Sequence, residues 1–450
     1  MTKQRSITRR SFLKRTGAAA GILAGFPAII PASALGADGA VSPSNRITLG
    51  FIGLGDEGRG KNLKTFLWQS DAQVVALCDV DDHRTHAAHL AAQVYARRDP
   101  IGTFRSCATT RDWREVIARD DIDAVVISTP DHWHVLPAVA AAKAGKDVFC
   151  EKPVSLTVHE GRVLSDTMLR YGRVFQTASE NRAMEAFSRE CELVRNGRIG
   201  KLHTIVTRIY RGFGADLEND ALPYVPVEVQ PEPIPPSFDY DMWLGQAPEA
   251  PYTASRCHAN FRYILDYSGG NLTDWGAHVL DIAQWGNGTE HSGPVSVDGH
   301  GVFPRTGLYN VARDWEITFE YANGVKHICK SGGFSVRFEG SQGWVEADWN
   351  TLKASSPRIL ESVIGPEEIH LRTCLGGEHR DFLNCVKSRQ DTYAPAEIGH
   401  RAVTLSHIGN ISMILGRKLH WDPDTEQFLN APQANRMLSR AMRSPWRLEA

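Results

Sequence analysis

The chain has 450 residues, 42% of them hydrophobic and 23% charged, with 50 Lys and Arg against 52 Asp and Glu. That length predicts about two or three domains around sizeable cores, and the composition excludes a disordered or low-complexity chain. Without the first 34 residues, which carry six basic side chains and no acid, the balance is 44 to 52, or −8, which argues against nucleic acid and anionic membranes as partners.

Residues 1–36 read as a targeting signal in three parts. Thr8-Arg9-Arg10-Ser11-Phe12-Leu13-Lys14 resembles the twin-arginine consensus, a mildly apolar run follows from Ala18 to Ile30, and Ala32-Ser33-Ala34 offers small residues to a signal peptidase. The run is too short and glycine-rich for a spanning helix of about 20 residues, so a soluble mature protein is expected. Export by the twin-arginine machinery carries folded proteins, commonly with a cofactor bound, and places the chain in the periplasm or otherwise outside the cytoplasm. The eight cysteines lack CxxC or metal-like spacing and are expected as buried free thiols.

From residue 45 apolar runs alternate with helical stretches: Ile47 to Ile52, "QVVALCDVD" (73–81), "DAVVISTP" (123–130) and "KDVFCEKP" (146–153). Near-continuous apolar strands alternating with helices specify a parallel, doubly wound sheet, assigned to residues 45–173 as an NAD(P)-binding Rossmann domain. Gly53-Leu54-Gly55-Asp56-Glu57-Gly58 matches GxGxxG between a strand and a helix. Gly53 suits the tight turn, Gly55 the approach of a pyrophosphate and Gly58 close helix–strand packing. Asp79, at the end of the second strand, is positioned for the adenosine ribose hydroxyls, which favours NAD over NADP; Arg59 is the argument for the phosphorylated cofactor. Further on, "TPDHWH" (129–134) follows a strand, Glu151-Lys152-Pro153 ends another, and Asn181-Arg182 follows "VFQTA".

Residues 174–425 are read as a substrate-binding and oligomerisation α+β domain with a large mixed or antiparallel sheet, from strands at 202–212, 314–333 and 344–349. Asn323-Gly324 signals a two-residue hairpin turn. Residues 216–251 hold eight prolines and are expected to lack regular structure, packing along the surface or reaching a neighbouring subunit. Residues 426–450 form a C-terminal tail.

In "GGNLTDWGAHVLDIAQW" (269–285), Asp274 and His278 are spaced to share a helix face, with Asp281 further along and expected to anchor or cap locally. Three readings of His278 stand: a core histidine, a metal ligand with His258, and a proton acceptor oriented by Asp274. Gly276, costing ~1 kcal/mol inside a helix, suggests close approach of another group such as the cofactor ring.

The order GxGxxG, TPDHWH, Glu151-Lys152-Pro153 and DxxxH resembles the glucose-fructose oxidoreductase, inositol dehydrogenase and MocA (Gfo/Idh/MocA) family, in its secreted twin-arginine branch, over residues 45–445. The resemblance implies an NAD(P)-dependent oxidoreductase acting on CH–OH groups of a sugar, cyclitol or glycoside; with the export signal, Asp79 and the lack of further metal ligands, the expectation is tightly bound NAD, no metal, and a homodimer or homotetramer. It implies catalytic roles for Lys152, Asp274 and His278, and a bond before Pro153 that is often cis. Cofactor contacts fall to Gly53, Gly55, Gly58, Asp79, Thr129, Pro130, His134, Glu151 and Lys152. Arg182 and Trp275 are substrate candidates, with a surface ion pair the other reading of Arg182. Two alternatives are an NAD-dependent glycosidase working by transient oxidation and elimination, and a non-catalytic sugar-binding protein.

Overall fold

The computed structural model describes residues 41–87, 90, 93–94, 107–212, 228–374 and 376–449, so the targeting signal lies outside the described residues. Six parallel strands open the fold: β1 (Ile47–Ile52), β2 (Ala72–Cys78), β3 (Ala108–Thr110), β4 (Ala124–Ile127), β5 (Asp147–Cys150) and β6 (Phe175–Thr177). Their order is β3-β2-β1-β4-β5-β6, so the chain crosses back beside β1 to begin β4. This leaves a crevice at the carboxyl ends of β1 and β4, the switch point where doubly wound sheets take their ligands. Every residue of β4 and β5 is buried, as strands covered on both faces require.

Nine strands make the second sheet, ordered β13-β12-β11-β7-β10-β9-β8-β14-β15. They are β7 (Leu202–Ile209), β8 (Ser296–Val302), β9 (Asp314–Glu320), β10 (Lys326–Ser331), β11 (Ser335–Gly340), β12 (Gly343–Ala347), β13 (Leu352–Ala354), β14 (Leu419–Asp422) and β15 (Gln427–Phe428). The central β7–β10 pair is parallel and its neighbours run antiparallel, giving the mixed sheet expected. Trp315, Ile317 and Phe319 alternate along β9 onto the buried face, which packs on helices α1 (Glu185–Arg195), α2 (Gly276–Asn287) and α3 (Ala396–Leu415). The opposite face carries cross-strand ion pairs such as Lys330–Glu316 at 3.0 Å, and Arg337 lies 3.9 Å from the Trp344 ring centroid.

Two local expectations are corrected. Tyr321 N–H bonds Val325 O (3.0 Å) and Gly324 N–H bonds Tyr321 O (2.9 Å), so the β9–β10 turn holds three residues, with Gly324 at φ +84°. Asn323-Gly324 forms the turn, and Ala322 adds one residue to the loop. The proline-rich stretch also carries regular structure: past its clustered prolines, Asp239 caps a helical turn at Tyr240–Leu244 by accepting Met242 N–H (3.0 Å).

The chain beyond the second sheet returns to the first. Phe382 and Leu383, on helix Gly377–Ser388, join Phe51, Phe66 and Phe149 in one core cluster, and Trp446 of the tail packs edge-on to Trp133 at 4.8 Å. All eight cysteines are free and six are buried. Among the described residues no helix is long and apolar enough to cross a membrane.

Gly286 sets how closely α2 approaches the sheet, because a β-carbon there would lie 2.3 Å from the Phe338 ring. Gly286→Ala is expected to destabilise the fold by about 1–3 kcal/mol through overpacking, although alanine is the better helix former, as read by urea unfolding.

Candidate active site

The glycine turn is shaped by close backbone approach. Gly53 has φ +91° and a β-carbon there would sit 2.6 Å from the Ser128 carbonyl, while one at Gly58 would meet Gly53 O at 2.2 Å. Asp79 fastens this turn to the end of β2: Oδ2 accepts Leu54 N–H (2.7 Å) and Oδ1 accepts Asp81 N–H (2.9 Å). The turn opens onto a cleft whose lining includes Gly53, Gly55, Asp79, Thr129, Pro130, Glu151 and Lys152. Arg59 is not in that lining and lies 3.9 Å from Asp56; Arg84 and Arg111 are the arginines that line it.

A strap from Ser237 to Arg262 forms the opposite wall with Phe238, Trp243, Phe261 and Arg262. It is tied to the parallel sheet's loops by Asp82 N–H to Ser237 O (3.0 Å), Asp239 N–H to Val80 O (2.9 Å) and Trp133 Nε1 to Trp243 O (3.0 Å). Arg443 of the tail donates to Gly245 O from behind (2.9 Å). Trp133 therefore braces the strap.

At the inner end of the cleft Lys152 Nζ meets Asp274 Oδ1 at 2.6 Å and Asp274 O at 3.4 Å, while Arg262 Nε donates to Asp274 Oδ2 at 3.1 Å. The Lys152–Pro153 bond is cis. Burial alone would pull the Lys152 ammonium down, but the carboxylate beside it outweighs that and holds its pKa above the ordinary value. Burial opposes ionisation of Asp274, and the two cations more than offset it, so the carboxyl stays far below the usual range.

The structure does not pair Asp274 with His278. The helix divides at Trp275, where His278 N–H reaches back only three residues to Trp275 O (3.2 Å), and both Asp274 oxygens are taken by cations. His278 Nδ1 is buried without a hydrogen-bond partner. Burial first, then the Lys152 charge, pushes its pKa down to about 3, the opposite of the protonated imidazole expected from a carboxylate partner. Gly276 approaches Ser406 of α3, whose Oγ would lie 3.2 Å from a β-carbon at that position, so a neighbouring helix explains the glycine.

Two further residues sit elsewhere than expected. His134 lies behind the cleft between the TPDHWH and EKP turns, with Nδ1 2.6 Å from Pro153 O and Nε2 2.9 Å from Thr129 O; burial lowers its pKa, and the neutral ring donates to one of these two carbonyls. Arg182 is neither a substrate contact nor a surface pair. It is 3% exposed, its Nε and Nη2 each donate to Asp281 at 2.7 Å, and it lies 4.8 Å from the Trp285 ring centroid. Asp281, which also accepts from Ser179 Oγ (2.8 Å), thereby takes the local anchoring role.

Several candidates had no periodic signal in the sequence. Arg262 is one, brought to Asp274 by an irregular stretch. Asp131 is another: buried in the cleft lining and accepting from Ser268 Oγ (2.6 Å), it is pushed up to about 7, mainly by burial. Around Trp275 stand the half-buried rings of Tyr210 (5.1 Å), Trp349 (5.5 Å) and Phe334 (5.8 Å), with Lys152 Nζ 5.8 Å from the Trp275 ring centroid. Nearby, Lys61 pairs with Glu180 (2.6 Å) and with Glu378 (3.1 Å), whose pKa burial raises to about 8.

Residues 47–179 match the NAD-binding Rossmann-fold model of an oxidoreductase family, and residues 193–448 match that family's C-terminal alpha/beta domain. The chain belongs to the Gfo/Idh/MocA family. Among curated relatives, a glycosyl hydrolase family 109 protein of Shewanella pealeana is 32% identical over 174 residues, 36% of this chain and 37% of that protein. An alpha-N-acetylgalactosaminidase of Shewanella oneidensis is 28% identical over 229 residues, 48% of this chain and 46% of that protein. The chain thus aligns with less than half the length of these relatives. An aldose-aldose oxidoreductase of Caulobacter crescentus, solved with glycerol, shares the Gfo/Idh/MocA fold at TM-score 0.60 and 19% identity, over 83% of this chain and 99% of that one.

Arg182→Ala is expected to leave Asp281 charged and unpaired in the core, at a cost of about 3–5 kcal/mol. A thermal melt lowered by several degrees, with Km for any accepted substrate unchanged in the surviving folded fraction, is the expected outcome.

Proposed function

We propose that this protein is an exported NAD-dependent oxidoreductase that acts on a secondary hydroxyl of a sugar, cyclitol or glycoside. The observation that carries the reading is the protonated Lys152, clamped by Asp274 at 2.6 Å at the inner end of the cleft, beside a neutral His278. The glycine cradle is closed to any β-carbon at Gly53 and Gly58, which fits a dinucleotide whose diphosphate is held by backbone N–H groups. Gly53, Gly55, Asp79, Thr129, Pro130 and Glu151 would hold that cofactor. Asp79 favours NAD; Arg84 and Arg111, at the same end, are the residues that would serve a 2′-phosphate. Bound NAD supplies a hydride acceptor.

The chain's own residues divide the remaining work. Lys152 stays protonated: one ammonium N–H is engaged by Asp274, and another hydrogen-bonds to the substrate oxygen and stabilises negative charge there as the hydroxyl gives up its own proton. His278, held neutral by burial and by the Lys152 charge, takes that proton. Asp274 keeps Lys152 protonated, so its service is to the lysine and not to the imidazole. The half-buried rings of Tyr210, Trp275, Phe334 and Trp349 offer apolar faces to the C–H side of a sugar ring.

The strap closing the cleft supports permanent cofactor retention, which an enzyme working where no NAD pool exists requires. The family 109 relatives support a second reading in which a glycoside is oxidised, loses its aglycone by elimination and is reduced again, with no net redox change.

Protein purified without added nucleotide is expected to release NAD or NADH on acid denaturation; empty protein sinks the retention reading. Incubated with candidate glycosides and sugars without added cofactor, it is expected to yield a keto-sugar with a reduced acceptor, whereas free aglycone would select the elimination route.

Lys152→Met and His278→Ala are each expected to lower kcat/KM by about 10²–10⁴-fold. His278 must be neutral to accept a proton and its pKa lies near 3, so the acid limb of the wild-type pH profile is expected well below the ordinary histidine value of about 6.5. Lys152→Met removes the neighbouring cation and is expected to raise the His278 pKa in an NMR titration. Arg9→Lys with Arg10→Lys is expected to leave the protein in the cytoplasm, as fractionation would show.

A further inference from the structure

Away from the cleft, a second cavity of about 270 Å³ lies between α3, the tail and the segments that follow Pro153 and precede Asp274. This is close to the lower end of the range for small-molecule sites, about 300 Å³. His407, Asn410, Ile411 and Ile414 line it from one face of α3, at the i, i+3, i+4, i+7 spacing of a helical stripe. Leu156, Val158 and Met437 add apolar wall, and Arg436 and Arg440 reach it from the tail.

Three observations define what such a cavity would accept. Its described lining holds two arginines and no Asp or Glu. Arg440 commits one guanidinium nitrogen to Leu265 O and has four further N–H donors, and the acids near it, Glu160 and Asp266, lie outside the lining. Asn410 is 7% exposed; its Nδ2 donates to Gly269 O (3.3 Å), but its Oδ1 is buried with no hydrogen-bond partner. A buried amide oxygen left unpaired costs about 1–3 kcal/mol, so the position favours an occupant that brings a donor. His407 donates from Nε2 to Ser155 O (3.1 Å) with its imidazole neutral, since burial pushes its pKa down to about 3. It therefore adds no charge.

We propose that this cavity binds a small hydroxylated organic anion, with Arg436 and Arg440 holding the anionic group, the aliphatic side chains flanking its carbon skeleton, and Asn410 Oδ1 accepting from its hydroxyl. The site stands apart from the chemistry assigned to Lys152 and His278 and does not depend on it. Its occupant would touch both the Leu156–Val158 segment, just past Lys152, and Gly269, just ahead of Asp274.

The test is calorimetric titration of the NAD-saturated, full-length protein with 4-hydroxybenzoate, benzoate and 4-hydroxybenzamide. The hydroxy acid is expected to bind saturably, one per chain, with the other two weaker by about tenfold, the loss of one good polar contact. Arg436→Ala, at an exposed position that leaves folding intact, and Arg440→Ala should each weaken 4-hydroxybenzoate, while Asn410→Leu should bring it down to the affinity of benzoate. Equal binding of the three probes, binding indifferent to the substitutions, or no saturable binding at millimolar concentration would overturn the proposal. So would a dimer that Ile414→Glu dissociates in a protein that takes up none of the probes, since the cavity would then be a subunit contact.

Discussion

The site is organised around one compensated charge. A carboxylate buried at Asp274 is tolerable only with cations against it, and the fold supplies two from opposite directions: Lys152 from the end of β5 and Arg262 from the strap. This arrangement joins three parts of the chain that are far apart in sequence. It also leaves one net positive charge beside the position where a hydroxyl would lose its proton, and it lowers the basicity of His278 without touching it. The imidazole stays neutral because it is buried next to a cation, and a neutral imidazole is the form that can accept a proton.

The nucleotide-binding sheet was legible in the sequence because its signals are local. A glycine turn is written in six consecutive residues, and a strand buried on both faces announces itself as an unbroken apolar run. Strand β1 was placed with its observed limits, and β2, β4 and β5 within a few residues of theirs, because no tertiary contact competes with those patterns. The second sheet was legible as a kind of structure but not as an order of strands, since the placement of β7 beside β10 depends on helices packing on one face.

The site was legible in its residues and less so in its pairings. Spacing of four along a helix put Asp274 and His278 together, but the helix divides between them, and two cations from distant segments claim the carboxylate. Arg182 and Asp281 were each noticed, yet only the fold shows that they belong to one another, because they are 99 residues apart and meet in the core. His134 looked like a ligand residue for the same reason that it is a good fastener: both ring nitrogens face carbonyl groups of loops that border the cleft. The aromatic group about Trp275 draws Tyr210, Phe334 and Trp349 from the ends of different strands, an arrangement that no window of sequence contains.

The tail gives the molecule an order of assembly. Trp446 packs against Trp133, and Arg443 holds the strap at Gly245, so the outer wall of the cleft is fixed by residues far along the chain from the segments they brace. The core of the first sheet likewise waits for Phe382 and Leu383. A nascent chain that has finished its glycine turn and all six parallel strands still lacks both the helix that covers them and the clasp that closes the cleft. The nucleotide-binding half is therefore completed by segments that follow the second sheet in the chain, so the first sheet depends on residues from beyond the second.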